Sequence, residues 1–143
     1  MLFGYYEHTL DSKGRLVVPS KLRGELGNTM YILRGLDGCL SIYKDSAFLE
    51  MMKSLQSLHF TESDPRQFIR TSLYSACELE LDKAGRVQIP AHLLAKHNIG
   101  KDVVVTGVGD HIEVWDKDRF HEYEEKANAN FDSIAENLFK DKQ

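Results

Sequence analysis

Two arginines stand where local structure makes no demand for them. Arg15 and Arg86 each close an Asp-x-x-Gly-Arg stretch, Asp11–Arg15 and Asp82–Arg86, set 71 residues apart. Asp11 and Asp82 suit a type I turn, whose first side chain accepts from backbone N–H groups, and Gly14 and Gly85 fall where φ becomes positive. Turn chemistry explains the Asp and the Gly and leaves the Arg over. A guanidinium on a projecting hairpin is a planar fork that fits a phosphate, or O6 and N7 of guanine in a major groove that a two-stranded ribbon can enter. Lys13 adds a cation at the tip of the first loop. The second loop has Ala84 there and Lys83 one place earlier, which makes the first loop the better-equipped reader. The plainer alternative is that each Arg pairs with the Asp four residues back, fixing the turn and contributing little else.

Other chemistries find little support. His92 and His97 are five apart and so do not share a helical face, and His8, His59, His111 and His121 are scattered, so no metal site is expected. Cys39 and Cys77 are non-equivalent in the two copies, which speaks for buried thiols rather than a duplicated disulfide or metal motif. Gly107-Val108-Gly109 has no third glycine, Gly100-Lys101-Asp102 lacks the rest of a phosphate-binding loop, and no Ser or Cys sits in a nucleophile elbow. Carboxylates concentrate around Glu122, Glu124 and Glu125, the pattern of a solvated helix face. No catalysis and no cofactor are expected.

The elements that must hold the two arginines come as a repeat. His8–Pro19 reads HTLDSKGRLVVP and Leu79–Pro90 reads LELDKAGRVQIP: an apolar β-prone run, the turn, a second apolar run, then Pro. This predicts strand, tight turn, strand and helix start, a first hairpin in each copy. Pro19 and Pro90 suit a place at or near the first helical position, and Gly27 and Gly100 suit the C-caps. Met30–Gly35 and Asp102–Gly107 then lead through Gly/Asp turns into Cys39–Tyr43 and His111–Trp115, a second hairpin in each copy.

Helices follow. Asp45 or Ser46 suits the cap of one carrying Phe48, Met51, Met52 and Leu55, whose Met pair is expected in the core. Asp64-Pro65-Arg66-Gln67 has the form of a capping box opening a second. In copy two Asp116 or Asp118 can open a helix with Phe120 and Tyr123, and Phe131, Ile134 and Leu138 mark another. The plan is thus performed twice, over 1–71 and 72–143, with no long Gly/Ser/Pro linker between.

At 143 residues and 42% hydrophobic content, one or two small domains sharing a modest core are expected. No run approaches the ~18 apolar residues of a membrane span, and Met1-Leu2-Phe3-Gly4 is unlike a signal peptide, so a cytosolic protein is expected. The net charge of −4 hides an asymmetry. Met1–Gly35 carries a net +2 and Asp110–Gln143 a net −5, which suits nucleic acid touched at few points.

With Asp11-Ser12-Lys13-Gly14-Arg15 and Pro19, Asp82-Lys83-Ala84-Gly85-Arg86 and Pro90, the Met1–Gly4 start and Glu113-Val114-Trp115, nearly the whole chain resembles the MraZ family of bacterial transcriptional regulators. More distantly it is similar to the AbrB and MazE swapped-hairpin proteins. The resemblance implies an α+β fold, mainly β with peripheral helices, in which two AbrB-like half-domains interleave strands in one pseudo-symmetric, β-barrel-like unit. It further implies a ring-shaped homo-oligomer, an octamer or similar, bound to tandem G-rich direct repeats ahead of the division and cell-wall gene cluster, in a cytoplasmic, nucleoid-associated setting. By that analogy Arg15 and Lys13 contact double-stranded DNA, with Arg86 and Lys83 their counterparts, Asp11, Gly14, Asp82 and Gly85 shape the turns, and no membrane is involved. The competing reading is an antitoxin-like module that binds a protein through its aromatic and Met-rich helices, with structural Asp-x-x-Gly-Arg turns.

Overall fold

The computed structural model describes residues 1–140, so the last three residues of the expected second repeat lie outside the described residues. The chain runs β1 (Leu2–Thr9), β2 (Arg15–Val17), α1 (Ser20–Leu26), β3 (Thr29–Arg34), β4 (Leu40–Lys44), α2 (Asp45–Gln56) and α3 (Ser63–Tyr74). It continues through β5 (Cys77–Glu80), β6 (Arg86–Gln88), α4 (Ala91–Lys96), β7 (Asp102–Gly109), β8 (His111–Asp116) and α5 (Lys117–Phe139). The expected junction at 71/72 falls inside α3.

The strands form a six-stranded antiparallel sheet in the order β1-β7-β8-β4-β3-β5 and a two-stranded sheet, β2-β6. Mainly β structure with peripheral helices and interleaved halves is therefore present, and the large sheet ends at β1 and β5 rather than closing into a barrel. The second hairpin of each copy forms, β3 with β4 and β7 with β8. The first does not. β1 pairs with β7, β5 with β3, and β2 with β6, so every strand flanking an Asp-x-x-Gly-Arg turn is paired across the two copies. The turn closes on itself while its flanks diverge: the Leu10 N–H donates to Lys101 O at 2.7 Å, and the Val18 N–H to Gly85 O at 2.9 Å.

The exchange obeys a pseudo-two-fold axis. Ser41 faces Glu113 and Leu16 faces Val87, and each pair occupies the same place in its repeat. Alternation along β2 and β6 turns Leu16 and Val87 inward, 0% and 1% exposed, where they close the core over Ile42, Ile112, Val103, Val105 and Met30 of the large sheet. Leu22 and Leu26 of α1 and Leu93 of α4 complete this cluster. Behind the large sheet a smaller one joins Cys39, Val104 and Trp115 to Phe120 at the start of α5.

Several helix expectations are revised. Gly27 is the C-cap of α1, with φ 76°, but α4 ends at His97 and it is Asn98, φ 54°, that takes the left-handed conformation, since Asn tolerates it. Gly100 instead donates its N–H to Asp116. Asp116 does cap α5, accepting from the Arg119 N–H. Neither Asp45 nor Ser46 caps α2, which starts from Lys44, and α3 starts from Glu62, which puts Asp64 and Pro65 within the first turn rather than at its edge. Copy two carries one 23-residue helix, α5, where two were expected, because no Pro or Gly interrupts it. Nor does the α2 stripe enter the core: Leu55 is its one buried residue, Met51 and Met52 are half-buried, and Leu49 is 56% exposed.

Strand exchange makes each half depend on the other. Fragments 1–75 and 76–143 are expected to lack the circular dichroism of the whole chain when alone and to recover it as a 1:1 complex on mixing; a monomeric fragment folded by itself would refute the exchange. The β1–β7 ladder is close at Gly107, where an added Cβ would meet the Leu2–Phe3 backbone. Gly107→Ala should therefore lower Tm by at least about 3 °C, from an overpacking penalty of about 1–3 kcal/mol, as read by a thermal melt.

Candidate nucleic-acid interface

The two turns are built alike. In the first, Asp11 Oδ1 accepts from the backbone N–H of Lys13 and of Arg15, both at 2.9 Å, and Oδ2 accepts from Arg15 Nε at 2.6 Å. In the second, Asp82 Oδ1 accepts from Ala84 N and Arg86 N at 2.9 and 2.8 Å, and Oδ2 from Arg86 Nε at 2.9 Å. Main-chain bonds repeat too: Gly14 N to Asp11 O and Gly85 N to Asp82 O, each 3.0 Å, with φ 75° at both glycines. Only a residue free of Cβ strain holds that conformation cheaply.

The carboxylates report the same arrangement. Donation from the Arg15 backbone N–H, opposed by desolvation and reinforced by the Arg15 guanidinium and the Lys13 N–H, holds the Asp11 carboxyl down at about 2. The Arg86 N–H chiefly lowers that of Asp82.

The plainer reading of the arginines is met, since each pairs with the Asp four residues back. The ion pair exists, but it engages Nε alone, and among the described residues nothing takes the Nη edge of Arg15 or Arg86. The Asp fixes the direction of the guanidinium and leaves its outer two nitrogens for something else. With side chains 29% and 32% exposed, both arginines can be reached from solvent.

Swapped pairing joins the strands that follow the two turns and leaves one turn at each end of the ribbon. β2 and β6 are antiparallel, with Arg15 opposite Gln88 and Val17 opposite Arg86. Because Leu16 and Val87 point inward, these four share the outer face of the ribbon. Arg15 and Arg86 lie two residues apart along the strands and one strand apart across them, about 8 Å between Cα atoms, or two to three base-pair steps at ~3.4 Å. Lys13 and Lys83 are exposed at the turns. The structure thus places Arg15 and Arg86 on one ribbon, with Lys13 and Lys83 in the turns that enter it from its two ends.

Sequence reasoning missed Arg23. On α1 its Nε donates to Val18 O at 2.7 Å, and its guanidinium covers Gly85 of the second loop so closely that a Cβ there would collide with it. The signal was the repeat itself, which aligns Arg23 with Leu94, and Leu94 covers Gly14 of the first loop.

A rival cavity of about 860 Å³ lies between β4, α2 and α3, bordered by Asp64, Gln67, His111 and Glu113. His111 and Glu113 in its wall pair with each other, and His111 with Asp110 as well. Burial lowers the basicity of His111, but the carboxylates of Glu113 and Asp110 more than offset it; Glu113, despite burial, is held ionised by His111, Trp115 and Cys39. Burial, with Glu113 nearby, raises the Cys39 thiol, which keeps it protonated and a poor nucleophile. Among the described residues no three His, Cys, Asp or Glu side chains converge as a metal site would need, and no helix is long and apolar enough to cross a membrane.

The family model described as "MraZ protein, putative antitoxin-like" matches residues 1–71 and again 73–142. A protein of Thermoanaerobacter pseudethanolicus, named transcriptional regulator MraZ, is 43% identical over 138 residues, 96% of each chain. Proteins of the same name from Lactiplantibacillus plantarum and Ligilactobacillus salivarius are 43% and 42% identical over 96% of this chain and 98% and 96% of their own.

Since hydrogen bonds and cation hold the Asp11 carboxyl well below the ~3.9 of a free Asp, its share of turn stability is complete above about pH 4 and is lost as pH falls through 2. Carbon-detected NMR titration should give Asp11 a midpoint near 2, and Asp11→Asn should remove that part of the acid dependence. A midpoint near 4 would mean the turn is open in solution.

Proposed function

This chain belongs to the MraZ family, and from that premise we propose that it is a sequence-specific, DNA-binding transcriptional regulator that reads G-rich direct repeats upstream of the division and cell-wall gene cluster. Its two repeats, 1–71 and 72–143, each contribute one Asp-x-x-Gly-Arg loop. One observation carries the reading: two guanidinium groups, each pinned through Nε by its own Asp, offer from the outer face of one two-stranded ribbon Nη edges that no described residue occupies. A ribbon of this width fits a major groove, and guanine O6 and N7 are the usual partners of such a fork. Arg15 and Arg86 read bases, Lys13 and Lys83 hold phosphates, and the setting is the cytoplasm, at the nucleoid. The relatives are named for regulation rather than for a reaction, and no catalysis or cofactor enters the reading.

A single subunit grips too weakly. One bidentate contact discriminates by about 1–3 kcal/mol, against about 11–15 kcal/mol for a site bound at ~10⁻⁸–10⁻¹¹ M. A ring of identical chains, an octamer or similar, would set several ribbons on repeats spaced about one turn, ~10 bp, and gain by effective concentration. Exposed apolar residues supply surface for such assembly: Phe131 at 68%, Ile134 at 48% and Leu138 at 68% on α5, and Phe3 at 73% on β1. The same surfaces, with "antitoxin-like" in the family's description, favour the second reading, a module that binds a protein partner.

Arg15→Ala should abolish the gel shift of a duplex carrying tandem G-rich repeats while light scattering shows the assembly unchanged; retained affinity removes the loops from the mechanism. Wild-type affinity should fall by orders of magnitude between 50 and 200 mM salt if several phosphates are held, whereas an apolar protein contact would be nearly indifferent.

A further inference from the structure

The two loops are covered by unlike side chains, and the difference is one of charge. Over Gly14 of the first loop lies Leu94, its Cδ1 at 3.3 Å from where a Cβ would stand. Over Gly85 of the second lies Arg23. The exchange of strands causes this crossing: the Val18 N–H bonds the Gly85 carbonyl, which delivers the base of α1, with Arg23, to the loop of the other repeat. The second loop therefore gathers Arg23, Lys83 and Arg86 against Asp82, and the first only Lys13 and Arg15 against Asp11. Ala84 costs the second loop a tip lysine that Arg23 more than replaces, so the expectation that the first loop is the better-equipped reader is reversed on charge.

Cover alone does not call for an arginine. Leu94 does that work at the equivalent place, and a half-buried guanidinium without a carboxylate bears a desolvation cost that an apolar cover avoids. Among the described residues Arg23 has no ion pair; its one hydrogen bond takes Nε to Val18 O, and its Nη atoms are left over. It stands on α1 beside the turn at Gly85 and not on the two-stranded ribbon itself, a place that suits a group meeting backbone rather than base edges.

We infer that Arg23 completes the second loop as a phosphate clamp, holding a DNA backbone phosphate beside the base read by Arg86. The inference rests on the DNA-binding reading and adds to it a residue that positions the duplex without reading sequence. One such contact contributes about 0.9 to the slope of log affinity against log salt, about eightfold in affinity at ~0.1 M.

The test uses the full chain with Arg23→Leu, a side chain the fold already accepts at the equivalent place, and Arg23→Lys, which keeps the charge. Each is titrated from 50 to 200 mM salt onto a tandem G-rich duplex and a random duplex of equal length. Arg23→Leu should flatten the salt slope by about 0.9 per engaged subunit and weaken both duplexes alike, preserving their ratio, while Arg23→Lys keeps most of the slope. A wild-type slope in Arg23→Leu, whatever its affinity, overturns the clamp and leaves the DNA reading standing. Absence of steep salt dependence in the wild type takes down both.

Discussion

Everything at the surface of this protein depends on strands being exchanged between its two halves. Neither Asp-x-x-Gly-Arg turn is flanked by strands that pair with each other; β1 and β5 go to the far ends of the large sheet, and β2 and β6 find one another. That last pairing is only three residues long, yet it sets the spacing of the arginines, buries Leu16 and Val87 over the core, and lets each glycine carbonyl accept from the opposite repeat, Gly14 O from Ile89 N at 3.0 Å and Gly85 O from Val18 N at 2.9 Å. A ribbon so short would not hold in water alone. Here its inner face is part of the main core.

Upon that ribbon the aspartates act as positioning groups. A free arginine side chain samples many rotamers, and ordering it on binding costs free energy. With Nε held and two backbone N–H groups sharing the same carboxylate, much of that ordering is done in advance. The Asp also removes one unit of charge from each loop, a loss in raw attraction to a polyanion in return for a directed fork. For the proposed contact of DNA with a chain of net charge −4, direction at a few points would matter more than total charge.

How much of this is legible in the sequence follows from how local each feature is. The turns are legible because Asp11, Gly14, Asp82 and Gly85 act within five residues, by chemistry that needs no partner elsewhere. β3 with β4 and β7 with β8 are legible for the same reason, with Asp37 and Gly38 at positive φ between the first pair. The partners of β1 and β2 are not, because the alternation of Leu16 or Leu79 says which face is buried and nothing about which strand lies alongside. Without the resemblance to swapped-hairpin proteins, a local hairpin is the natural and mistaken expectation. Arg23 is hidden by the same exchange: in sequence it neighbours the first loop and in space it serves the second. The α2 stripe is illegible in another way, since Leu49, Met51 and Met52 have the spacing of a core helix whether or not their own chain covers them.

The pseudo-two-fold axis through Leu16 and Val87 has one more consequence. Two identical halves associating would present a face that looks the same after half a rotation, with no means of telling a DNA sequence from its reverse. Joining the halves in one chain lets them diverge, and here they have, Lys13 standing against Ala84 and Leu94 against Arg23. The face so made has a front and a back, and a unit with a heading would suit the direct repeats proposed above.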